Sequence, residues 1–146
     1  MYRGKIYKDG KHWIVAVPAL DLLTQGDTKN DAYEMLDDWL KTAMGKDFRP
    51  DIARLANGNF IVDGRDEYSK KALIALMLKR QRIRAGLTLA DMQRLLQATS
   101  KNAYARYEQG VSVPSPLKIE EILMAMGLRL EMRVRSDKYN EEITTY

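Results

Sequence analysis

The apolar residues of this chain change their repeat close to residue 65, and that change calls for two different kinds of layer. Before it, short β-rich runs sit between turn residues; after it, apolar side chains recur every three to four positions. The polar, turn-rich stretch "DGRDEYS", residues 63 to 69, separates the two patterns and marks the expected boundary.

In the first half, "YRGKIYK" and "KHWIVAV" flank an Asp-Gly pair, a dipeptide that favours tight hairpin turns. Pro18 stops the second run because proline cannot donate to a ladder, and "DLLTQG" reads as a third short strand. Thr28 and Asp31 form an acidic version of the capping box, followed by Ala32, Met35, Leu36, Trp39, Leu40 and Ala43 at helical spacing. Gly45 ends that helix, and "NFIV", residues 59 to 62, supplies a fourth strand. Residues 1–66 are therefore expected to fold as β-β-β-α-β.

The second half reads as four short helices, in "KKALIALMLKRQRIRAG", "LADMQRLL", "SKNAYARYEQ" and "PLKIEEILMAMG", giving an all-α unit over 67–127. The chain then alternates apolar and charged residues in "LRLEMRVR", residues 128 to 135, which predicts a strand within a terminal segment, 128–146. The fold class is α+β. A lone strand needs a partner for its ladder groups. Self-pairing between two chains would bury Leu128, Leu130, Met132 and Val134 in a homodimer; docking onto the chain's own first half is the alternative.

With 45% apolar and 30% charged residues the chain has enough apolar material for a core. It has no cysteine, which excludes a disulfide scaffold and thiolate chemistry, and no window as apolar as a membrane span or a secretory signal. A cytoplasmic protein is expected. Residues 1 to 67 hold 10 basic and 12 acidic side chains, residues 68 to 146 hold 14 and 8. The basic surplus lies in the helical half, where a polyanion such as nucleic acid is the natural partner.

That half contains "TSKNAYARYEQG", residues 99 to 110, with Ser100 as an expected N-cap, helix from Lys101 to Gln109, and Gly110 for a left-handed exit. Lys101, Asn102, Ala105, Arg106 and Gln109 share one face, and Ala103, Tyr104 and Tyr107 the other. A short polar and basic face of this kind suits the major groove: arginine or lysine donates to guanine, and asparagine pairs with adenine. Thr99, Ser100, Lys101, Asn102, Arg106 and Ser112 are the candidate contacts to double-stranded operator DNA.

The segment "RIRAGLTLADMQRLLQATSKNAYARYEQGVSVPSPLKIEEILMAMG", residues 82 to 127, resembles the helix-turn-helix of the Xre and Cro repressor family. The resemblance implies base contacts from Lys101, Asn102 and Arg106, and a buried ion pair between Arg82 and Glu108. Two features depart from the family pattern. Gln93 and Gln97 stand where a small residue and a turn glycine are usual, and Leu89 where many members carry a DNA-contacting glutamine.

Residues 5 to 40 resemble the HicB antitoxin domain in the hairpin, the proline after the second strand, the segment from Thr24 to Thr28 and the amphipathic helix. This implies a partial RNase H-like fold that occludes a HicA-like mRNA-cleaving toxin, with the second unit repressing the shared operon. The slight acidic excess of this half suits a basic toxin, and Asp37 and Asp38 are candidate contacts.

No catalytic residue, metal or cofactor is expected. The first strand offers no carboxylate for magnesium, Asp21, Asp27 and Asp31 have structural reasons as caps, and His12 lacks a ligand set. A stand-alone Xre-type transcriptional regulator and a residual RNase H-like nuclease are the alternatives.

Overall fold

A computed structural model describes residues 1–97 and 102–136, together with the backbone of 142–144. Strand β1 (Tyr2–Asp9) and β2 (His12–Val17) form the expected hairpin, with Asp9 opposite His12 and Gly10 at φ +59 in the turn. A single 3-10 turn, Pro18–Leu20, leads into β3 (Leu22–Gly26), which pairs with β2. Helix α1 (Lys29–Met44) starts with a complete capping box: the Thr28 hydroxyl accepts from the Asp31 N–H, and the Asp31 carboxylate accepts from the Thr28 N–H.

The main departure from the β-β-β-α-β expectation is an additional strand. β4 (Pro50–Arg54) forms a hairpin with β5 (Asn59–Gly64), and β5 joins β1. The result is a five-stranded antiparallel sheet in the order β3-β2-β1-β5-β4, with α1 across one face. Val15, Val17, Leu22, Phe60 and Val62 from the sheet meet Leu36 and Leu40 from α1, and the Tyr33 ring stands edge-on to Phe60.

Helix α2 (Glu67–Arg84) begins within the stretch that marks the expected boundary, where the Asp66 side chain caps it by accepting from the Ser69 N–H. Gly64 lets the start of α2 close onto β5: a Cβ there would stand 2.5 Å from the Ser69 carbonyl carbon. The buried Ser69 hydroxyl in turn accepts from the Arg49 N–H at 2.8 Å.

Further along, α2 grips the 3-10 turn. The buried Gln81 amide donates to the carbonyls of Pro18 and Ala19, and Arg80 donates to those of Leu20 and Asp21 while its guanidinium lies over the Trp39 ring. Leu73, Met77 and Leu78 then continue the core into Met92, Tyr104, Ile122 and Leu123, so one contiguous apolar cluster joins sheet and helices.

Helices α3 (Leu89–Leu95), α4 (Ala103–Glu108) and α5 (Pro116–Ala125) complete the helical half. α5 starts with Pro116 in its first turn and the Ser115 side chain as cap. Beyond it the strand expected over 128–135 is reduced to β6 (Arg133–Arg135), paired antiparallel with β7 (Glu142–Thr144) of the same chain. Leu128 and Leu130 alternate toward the chain's own core, so period two marks an extended segment; among the described residues a neighbouring strand is paired only from Arg133. Met132 and Val134, 64% and 49% exposed, lie outside that packing.

Candidate nucleic-acid interface

α3 and α4 form the helix-turn-helix, and local chemistry sets both. Thr88 and Asp91 make a reciprocal capping box at the start of α3, with Arg94 bonded to Asp91 at 2.8 Å. These bonds hold the Asp91 carboxyl below the usual carboxylate range, the Thr88 N–H being the largest cause. The helix closes at Gln97, which adopts the left-handed backbone at φ +51 that a glycine would occupy without strain.

α4 is shorter than the sequence suggests. It begins at Ala103, with Asn102 at the N-cap position and no side-chain capping bond, and Gln109 closes it. The expected cap Ser100, with Thr99 and Lys101, lies outside the described residues. Six residues at 1.5 Å each give a rod of about 9 Å.

Its two faces separate sharply. Tyr104 is 2% exposed and Tyr107 half-buried against the core, whereas Asn102, Arg106 and Gln109 face outward. Gln109 thus joins the outward row of Asn102 and Arg106; the helical spacing already put it there, although it is not among the candidate contacts. The exit turn folds back on Arg106, whose carbonyl accepts from the N–H groups of Val111 and Ser112, and Arg106 Nε approaches the half-buried Ser112 hydroxyl at 3.5 Å. Gly110, at φ +72, permits that reversal. Leu89 remains exposed at the head of α3.

Behind this face the structure brings Arg82 and Glu108 together. Arg82 Nε donates to Glu108 Oε1 at 2.6 Å, a second guanidinium nitrogen to Oε2 at 3.1 Å, and the third to the Leu87 carbonyl at 2.8 Å. Tyr104 also donates to Glu108 Oε1, at 2.8 Å. The two charged side chains are only 12% and 7% exposed. The bond from Glu108 raises the Arg82 pKa above its ordinary value, and burial, aided by Glu108, pushes the Tyr104 phenol up as well. The arrangement is a bidentate pair with every guanidinium nitrogen engaged, and it ties α4 to α2.

Of the remaining sites considered, His12 Nδ1 lies 3.4 Å from an exposed Asp27 carboxylate. Among the described residues no three His, Asp or Glu side chains converge where one metal ion would sit, and no helix is long and apolar enough to cross a membrane.

Residues 73–135 match the family described as helix-turn-helix domain, from the second turn of α2 through α3, α4 and α5 to the end of β6. No curated protein matches the chain. The match identifies a helix-turn-helix of the DNA-binding kind in the half that carries the basic surplus.

Proposed function

We propose that the protein is a DNA-binding regulator that reads its operator with the outward face of α4 and acts as the antitoxin and autorepressor of a HicA-like toxin. One observation carries the DNA-reading part: Asn102, Arg106 and Gln109 form an exposed row on a helix anchored from behind by Arg82, Glu108 and Tyr104. A rigid backing of this kind holds base-reading side chains in register. Titration of the full chain with DNA from upstream of its own gene tests it. Replacing Arg106 with alanine is expected to cost about 1–3 kcal/mol on the cognate site and less on unrelated sequence. An equal loss on all sequences would make Arg106 a phosphate contact only.

The antitoxin part rests on the likeness of residues 5 to 40 to HicB domains, and a sheet with α1 across one face suits a partial RNase H-like fold. In this reading the chain is not an enzyme, and residues 1–66 neutralise the toxin while 67–127 bind DNA. Co-purification with the product of the adjacent open reading frame is the test. A homodimer would present two reading helices to a palindrome. In it Met132 and Val134, both exposed, would be the apolar contacts of the terminal segment, since Leu128 and Leu130 pack on their own core. Sedimentation of a chain ending at Gly127 tests their part. A stand-alone regulator of Xre type is the second reading, favoured by the confinement of the family match to residues 73–135.

A further inference from the structure

We infer that the free edge of β4, with the acidic side of α1 beside it, is a docking site for an extended cationic segment of a partner protein. β3 and β4 are the two edges of the sheet. The ladder geometry decides which groups β4 offers. Leu55 N–H bonds the Asn59 carbonyl and Arg65 N–H bonds the Arg49 carbonyl, so the hydrogen-bonded pairs with β5 fall at Asp51 and Ala53. Ile52 and Arg54 therefore turn their N–H and C=O groups away from β5, and among the described residues no strand meets them. Pro50 lacks an N–H and gives its carbonyl to Arg65 Nε, which closes the ladder at that end.

The same two residues line one wall of a cleft of about 450 Å³ whose other wall is α1, through Asn30, Tyr33, Glu34, Asp37 and Asp38. Arg54 is already held in place, by the Asn30 side-chain oxygen at 3.2 Å and over the Tyr33 ring at 4.1 Å. Lys41 engages Asp37 at 2.6 Å, while Glu34 and Asp38 stay exposed. With Asp37 taken up by Lys41, the carboxylates of Glu34 and Asp38 are left to face the Arg54 guanidinium across the cleft. A strand added to β4 would set every second side chain against these carboxylates, and only lysine or arginine there would compensate them. A neutral or acidic strand would cover them without a counter-charge.

The site lies apart from the DNA-reading face, and it rests on the proposed antitoxin function only in that a basic toxin would supply the occupant. The probe is a capped hexapeptide alternating lysine and valine, added to the full chain while amide hydrogen exchange is followed. Exchange at Ile52 and Arg54 should slow by roughly tenfold or more at saturation, with little change elsewhere. The glutamate-valine analogue and a backbone N-methylated version should not bind. Ile52→Pro removes an outward N–H at an edge position that tolerates proline and gives up some side-chain packing on the core. It should abolish binding in a chain that still folds, at a somewhat lower melting point, while Ile52→Val, which keeps the N–H, should still bind. The double variant E34Q/D38N should weaken binding several-fold and flatten its salt dependence. The site is refuted by absent binding, by protection at other strands, by equal binding of the glutamate or N-methylated peptides, or by binding that survives Ile52→Pro. Capture of a neighbouring gene product that leaves Ile52 and Arg54 unprotected refutes the cleft and keeps the antitoxin reading. Peptide binding with no captured neighbour does the reverse.

Discussion

Replacing Glu108 with alanine isolates what holds the reading helix to the rest of the molecule. The substitution leaves the Arg82 guanidinium, 12% exposed, with only the neutral Leu87 carbonyl and Tyr104 hydroxyl beside it and no counter-charge, and removes the acceptor of the buried Tyr104 hydroxyl. Removing one member of a buried pair costs about 3–5 kcal/mol because the other charge stays buried. For a chain of this size each kcal/mol lowers the melting point by about 2–4 °C, so the loss should be roughly 6–20 °C. Circular dichroism melts of the single variants and of the double variant Arg82→Met/Glu108→Leu complete a cycle. The double variant should recover most of the stability, since no charge is left without a counterpart. A single-variant melting point within about 2 °C of the parent, or a double variant as unstable as the two losses added together, would refute the reasoning.

Gln97→Gly should raise stability by up to about 1 kcal/mol, seen as a higher urea midpoint, because glycine adopts the left-handed conformation at φ +51 without steric cost. Gly64→Ala should lower the melting point by several degrees, since the new Cβ meets the backbone of Ser69 and Lys70 at 2.5 and 2.6 Å. Acid titration should show carboxylate-linked stability that is complete above the ordinary carboxylate pKa of about 4 and lost as the pH falls through the depressed folded-state values of Asp66 and Asp91. In Thr88→Ala the Asp91 carboxyl, followed by NMR, should rise only part of the way toward its ordinary range, because the hydroxyl is gone while the backbone N–H at position 88, the largest cause, stays.

What could be read from the chain in advance was whatever local chemistry decides. The Thr28–Asp31 box, Pro116 behind Ser115, and Gly110 after the reading helix each act within one turn, so a few residues suffice to reveal them. β4 escaped notice because "PDIAR" opens with proline and places a single half-buried apolar residue among charged neighbours; β5 makes it a strand. The polar stretch at 63–69 marked a boundary, but its composition did not reveal that Asp66 caps a helix there or that Ser69 is buried. The alternation over 128–135 registered an extended chain, but among the described residues the ladder begins only at Arg133. In the candidate interface, helical spacing identified the outward row of α4, and the resemblance to repressors suggested the Arg82–Glu108 pair. Contacts spanning some sixty residues, such as Gln81 to Pro18, leave no local trace.

Three successive residues of α2 divide two tasks: Arg80 and Gln81 clasp the turn beside the sheet, and Arg82 clasps the end of α4. One rod therefore sets the bearing of both ends of the molecule. Swivelling the sheet against the reading helix would mean unfastening one clasp or the other. Under the proposed function, a partner seated on the sheet would consequently be held at a set angle to the duplex.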